Sequence, residues 1–377
     1  MHDHIASFGG DPSRITIFGQ SSGGLAIGMQ TMAYGGTRPA PFQQGIFESQ
    51  ALEPGITGNF TYHQMDLLAS ALNCTSSPLD SNETVSCLRA VDTSTYLQAS
   101  IDTYSGTIDY NIGDSWLPVV DGDFLPAAPS TLVAEHRMAN ITTMGGWADD
   151  DVGFFTDRTI MTANDTYAFF SSYLPDMNDS SLRALLSQYP VSDFQANAAA
   201  NLSAEFARSA RIFRDVLMTC MPIWYADNLA QMGNPVYLYD QNATILNPAL
   251  ASLGYPGLGP VHTSEFAYVF ANFSHYSAAG LPIKPTDDDR RLQREQSRTW
   301  STFAATGQPY LRSRDTLKGW DVGFRALGNG RNETDIYVIG GQHEGLYAFG
   351  QGALAKQKLR QRCDFLNSPD IIRQLSF

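Results

Sequence analysis

Charge is scarce in this chain, and cysteine is scarcer. Only 16% of its 377 residues are charged, and the balance is acidic: 24 basic residues against 38 acidic ones, a net charge of −14. A polyanion releases no counterions on meeting phosphate, which argues against nucleic acid as a partner. No run of about 18 apolar residues occurs, so no membrane-spanning helix is expected. The opening MHDHIASFGG has neither the basic nor the apolar segment of a signal peptide. There is no internal repeat and no low-complexity segment. No H-E-x-x-H, no His/Cys cluster with ligand spacing, no phosphate loop and no dinucleotide fingerprint is found, so neither a metal nor a cofactor is expected. The four cysteines are an even number, compatible with disulfides but too few for a cysteine scaffold.

What is present is apolar substance: 43% of residues are hydrophobic, enough for a large core. Strand-like runs occur at 15–18 (ITIF), 44–49 (QGIFES), 141–146 (ITTMGG), 235–239 (PVYLY) and 335–340 (DIYVIG). Helical stretches are read at 22–33, 64–72, 202–231 and 286–305, the last with acids at its start and a glycine past its end. Short strands separated by helices and long insertions predict an α/β fold with a mostly parallel sheet. Stretches around 75–110 and 160–200, rich in Ser, Thr, Asn and Asp, read as solvent-facing excursions of one domain rather than linkers. Ten of the 17 asparagines stand in N-x-S/T sequons: Asn59, Asn73, Asn82, Asn140, Asn164, Asn178, Asn201, Asn242, Asn272 and Asn332. Such sites are glycosylated only in the secretory lumen and on exposed segments, which points to a secreted glycoprotein.

The sequence ITIFGQSSGG places Ser21 between Gly19 and Gly23, at the end of a strand and the start of a helix. Strand, G-x-S-x-G and helix together form a nucleophile elbow. A side chain at Gly19 or Gly23 is expected to press on the neighbouring helix or strand. The strained turn projects the Ser21 hydroxyl from the carboxyl end of the sheet, and the Ser22 N–H is placed to receive an oxyanion.

The segment IASFGGDPSRITIFGQSSGG resembles the nucleophile region of the type-B carboxylesterase/lipase family, the cholinesterase-like branch of the α/β-hydrolases. QGIFESQA, WLPVVDGDFLPAAPSTL, NPVYLYDQN, WSTFAATGQP and RCDFLN resemble later family segments, in order. The resemblance implies an α/β-hydrolase fold over residues 1–377 as a single domain, with helices on both faces of the sheet. It implies hydrolysis of carboxylic esters, of small molecules or lipids, through an acyl-enzyme. The family usually has Glu and Ala beside the serine; this chain has Gln20 and Ser22. Ser49 stands where the family has a second serine near the triad.

An alcohol needs a histidine to take its proton and a carboxylate to orient that histidine. Of seven histidines (His2, His4, His63, His136, His262, His275 and His343), only His262 sits in a Gly/Pro loop followed by an acid-aromatic segment, GLGPVHTSEFAYVF. This resembles the family's histidine loop and assigns His262 as general base. For the acid, a bare Asp triplet reads as a solvated loop. Family register from Gly146 and Phe155 instead places Asp151 on the catalytic acid, with Asp150 as the alternative. Asp is one methylene shorter than the family's Glu, and Val152 replaces its glycine. The resemblance also implies disulfides Cys74–Cys87 and Cys220–Cys363.

Family members carry well over a hundred residues before the nucleophile, including strands and a loop that completes the oxyanion hole. With Ser21 so near the start, the expectation is a fragment lacking N-terminal strands, with a bare apolar sheet edge and little or no esterase activity. A full-length parent would be secreted. The rival expectation is a non-catalytic binding or adhesion relative on the same fold.

Overall fold

The computed structural model describes residues 1–107, 116–326 and 332–376. Seven strands form its sheet: β1 (Thr16–Gln20), β2 (Gln44–Glu48), β3 (Thr142–Ala148), β4 (Val236–Gln241), β5 (Phe324–Ala326), β6 (Asn332–Ile339) and β7 (Gly345–Ala348). The order is β1-β2-β3-β4-β6-β5, with β7 also on β6. Pairs from β1 to β4 and from β4 to β6 are parallel; β5–β6 and β6–β7 are antiparallel. The five sequence-read strands are all present. The two short antiparallel ones carry no comparable apolar run and were not foreseen.

Strands β2, β3 and β4 are largely buried, whereas β1 is only half-buried and exposes Phe18, and period-two alternation sorts the side chains between the two faces. Phe47, Trp147, Leu238, Ile336 and Val338 join a core with Leu25, Ile27, Met29 and Met32 of the helix Ser22–Met32. Ile46, Met144, Tyr237, Tyr239, Tyr337 and Ile339 enter a second core with Trp300 and Phe303 of the helix Asp287–Thr306. Each such side chain contributes about 1.5–3 kcal/mol on burial, so the register that brings the strand ends together is set by both cores at once.

The Ser/Asn/Asp-rich excursions are largely helical. Ser81, Thr162 and Asn178 cap the helices Asn82–Ala90, Ala163–Tyr173 and Asp179–Ser187, Thr162 through a capping box with Asp165. Some of the Ser, Thr, Asn and Asp residues that marked these stretches as solvent-facing are here helix starters, because their side-chain oxygens accept the free N–H groups of a first turn. The helix read as 202–231 is two helices, Ala204–Arg214 and Cys220–Gln231, joined by a π turn at Asp215–Thr219. Pro222 accounts for the break, since it has no N–H and its ring would strike the carbonyl four residues earlier.

Both cysteine pairs are bonded. Cys74–Cys87 closes a short loop, and Cys220–Cys363 ties the C-terminal helix Leu359–Leu366 to the body across 143 residues. In the chain-entropy model these contribute up to about 3 and about 5 kcal/mol. Eight sequon asparagines are exposed and Asn242 is half-buried; the side chain of Asn332 lies outside the described residues. No helix among the described residues is long and apolar enough to cross a membrane.

Candidate active site

Three neighbouring parallel strands end in a staircase. The Ser21 N–H donates to the Glu48 carbonyl at 2.9 Å, and the Ser49 N–H to the Gly146 carbonyl at 2.8 Å. Both serines have positive φ, 58° at Ser21 and 47° at Ser49. A non-glycine residue held there costs about 1–3 kcal/mol, and such strain persists only where surrounding contacts enforce it. At Ser21 the enforcing contact is visible. A Cβ at Gly19 would lie 2.7 Å from the backbone of Gly23, so only glycine lets the strand meet the helix.

The expectation for Gly23 itself is corrected. A Cβ built there meets nothing within 4 Å, because it would project away from the strand although the Gly23 backbone itself lies at the crossing. The second close approach belongs to Gly24, whose Cβ would sit 3.1 Å from Gln50 Cα and 3.2 Å from the Glu48 carbonyl. Ser22 opens the helix directly after Ser21.

The three consecutive aspartates after β3 serve three different partners. Asp149 faces away from His262: its carboxylate accepts from Arg214 Nη1 at 3.3 Å and Gln357 Nε2 at 3.1 Å, while its carbonyl takes a second Arg214 bond at 3.0 Å. Asp150 accepts from the Gly259 N–H at 2.8 Å and so props the histidine loop; burial pushes its carboxyl up to about 6. Asp151, fully buried, reaches the ring. Its Oδ1 lies 2.5 Å from His262 Nδ1, and its Oδ2 accepts from Ser49 Oγ at 2.7 Å and the Ala148 N–H at 2.8 Å. A carboxylate only accepts, so the hydrogen of the neutral ring is assigned to Nδ1 and the lone pair to Nε2. A backbone bond from the His262 N–H to the Asp151 carbonyl, at 2.9 Å, fixes the two loops together.

His262 Nε2 faces the end of β1. There Gln20 Nε2 lies 3.0 Å away, while the Ser21 hydroxyl makes no hydrogen bond among the described residues. The ring of Phe155 meets His262 edge-on at 5.5 Å. The sequence-read residues Gln20, Ser49, Asp151 and His262 are thus in one connected network. Asp150 is separated from the ring by the loop it supports, and Ser21 and Ser22 stand at the rim beside Gln20.

Sequence reasoning missed what lies beneath. Glu48 accepts from Trp300 Nε1 at 2.6 Å, and burial pushes it up to about 7. Glu265 is raised well above the ordinary carboxylate range by burial and by the charges of Glu48 and Asp151. Both Glu265 oxygens, one of Glu48 and the Tyr239 hydroxyl find no partner among the described residues. Only the acid-aromatic segment after His262 signalled Glu265; nothing local marks Glu48, whose burial depends on both cores. No group of three or more His, Cys, Asp or Glu among the described residues is arranged to hold a metal.

A secreted lipase of Arthroderma benhamiae is 46% identical over 381 aligned residues, covering 100% of this chain and 66% of the relative. The inactive carboxylesterase-like protein VdtD of Byssochlamys spectabilis is 30% identical over 338 residues, covering 86% of this chain and 57% of that protein. The crystal structure of Aspergillus niger EstA superposes with a TM-score of 0.73 at 20% identity, covering 100% of this chain and 67% of that one, and shows the α/β-hydrolase fold. The chain spans less than two thirds of the length of these two curated relatives. Residues 1–343 match the carboxylesterase family directly, and with these strands, this elbow and these relatives, the chain belongs to the carboxylesterase family.

Proposed function

We propose that this chain is a carboxylic ester hydrolase in which Ser21 is the nucleophile, His262 the general base and Asp151 the acid that orients it. Ser21 attacks the carbonyl and passes its proton to His262 Nε2. The Ser22 N–H receives the oxyanion, and the imidazolium returns the proton to the leaving alcohol. Water activated by the same ring then releases the acid from the acyl-enzyme. The observation that carries this reading is the Asp151–His262 pair: Nδ1 is committed to a buried carboxylate, which leaves the basic Nε2 facing the strand end that bears Ser21. Substrates are small-molecule or lipid carboxylic esters. Exposed sequons and two disulfides suit a secreted protein, as the Arthroderma benhamiae relative is named.

Labelling with a fluorophosphonate probe tests this. Adduct at Ser21, lost in Ser21→Ala and in His262→Ala, is expected; a folded chain that takes no label at Ser21 overturns it. A second reading, a non-catalytic carboxylesterase-like binding protein, is favoured by two observations: the unbonded Ser21 hydroxyl and the name of the Byssochlamys spectabilis relative. Absence of label would point to it.

A further inference from the structure

We propose that Gln20 is a latch on His262, occupying the lone pair that Ser21 must use. This rests on the catalytic reading above but concerns how the site is held at rest. With its hydrogen on Nδ1 toward Asp151, the neutral imidazole has one lone pair, on Nε2. The amide nitrogen of Gln20 lies 3.0 Å from that atom and donates to it. One lone pair accepts one good hydrogen bond, so Gln20 and Ser21 compete for it. The Ser21 hydroxyl, one residue further along the same chain, makes no hydrogen bond among the described residues.

The rivals are adjacent in sequence but not equivalent. Gln20 is the last residue of β1, its backbone in ladder register with Glu48. Ser21 sits in the strained turn beyond. The strand therefore aims the amide, while the Ser21 side chain must turn to bring its oxygen to the ring. Activation of the nucleophile requires that the Gln20 amide swing off Nε2.

The test reads the lone pair directly. Diethyl pyrocarbonate acylates an unprotonated imidazole nitrogen, and peptide mapping by mass spectrometry resolves each histidine. In Gln20→Leu, which keeps the bulk and removes the donor, His262 should react about five-fold faster than in the parent chain, the factor that one net hydrogen bond represents. His2 and His63 should react at unchanged rates and serve as internal references. Gln20→Met provides a second donor-free variant with a flexible side chain. Labelling of Ser21 by the fluorophosphonate should rise in step, a gain that damage to the fold would not produce. An unchanged or slower reaction at His262 in both folded variants overturns the latch. A faster His262 in a chain whose Ser21 takes no label at all keeps the latch and removes the hydrolase reading, so the two fail separately.

Discussion

Asp151 and His262 are tied on every side, whereas Ser21 depends on a turn. The carboxylate accepts from Ser49, from the Ala148 N–H and from the ring, and the ring's backbone is bonded to the acid's own carbonyl. Behind them Arg214, fully buried, holds Asp149 while pairing with Asp215. On the other arm, the Ser21 backbone is anchored to Glu48 but its hydroxyl makes no hydrogen bond among the described residues, and β1 pairs with β2 alone among the described strands. The acid–base half of the site is preorganised by many partners, and the nucleophile half by the steric demand of two glycines. Preorganised dipoles need no rearrangement during reaction, while a short side chain with one torsion to turn can be recruited late.

The contrast can be broken at its strongest point. Asp151→Asn removes the charge that fixes the ring's tautomer and should slow Ser21 labelling about 10³–10⁴-fold; a loss under ten-fold in a folded variant would show that the carboxylate does not orient the ring. Arg214→Ala leaves Asp215 buried without its cation. It should cost about 3–5 kcal/mol, seen as a lower urea midpoint with both disulfides intact. Gly19→Ala should destabilise to a similar degree, since its methyl has no room against Gly23.

Ser49→Ala takes one of three hydrogen bonds from Asp151 and should slow labelling about ten-fold without moving the melting temperature by more than a few degrees.

Stability should also fall as pH rises. Glu48, Asp150 and Asp240 are buried acids pushed up to about 7, 6 and 7. Between their ordinary values and these raised ones, the folded chain binds protons that the unfolded chain has released. The stability is therefore present in acid and lost as pH climbs through about 6 to 7. Melting temperature should drop by about 3 °C or more from about pH 5 to about pH 8, and Glu48→Gln should flatten the slope. A curve that rises over this window would show that these acids are not buried as described. The smallest effect is expected at Gly23→Ala: with open space around its Cβ, the change should stay within about 0.5 kcal/mol. Placed beside Gly19→Ala, it asks which glycine the elbow requires.

The two glycines also show where sequence reading stops. The G-x-S-x-G pattern marks a tight turn but not at which glycine a Cβ would project into the crossing; that depends on the angle at which helix Ser22–Met32 leaves β1. The aspartate triplet is similar. The family register from Gly146 and Phe155 favoured Asp151 over Asp150 and left the second open, and no local pattern assigned Asp149 to Arg214, because the two are joined only when a helix from the second half of the chain packs behind β3. The capped helices of the excursions were missed for a different reason: Ser, Thr, Asn and Asp start helices as readily as they form loops, and composition does not distinguish the two.

By itself, the sequence determined the five main strands and the elbow at Ser21, because each is encoded by neighbours within a few residues, apolar runs and glycine spacing; the acid loop, and the role given to the histidine loop, were legible only through the resemblance to the family. Tertiary structure alone decided that Gln20 rather than Ser21 meets His262 Nε2, that both Glu265 oxygens and one of Glu48 are buried without a partner among the described residues, and that Asp149 belongs to Arg214. Those contacts join residues as many as 242 positions apart. Their geometry follows from two cores packing one sheet from both sides, a constraint that no short stretch of chain contains.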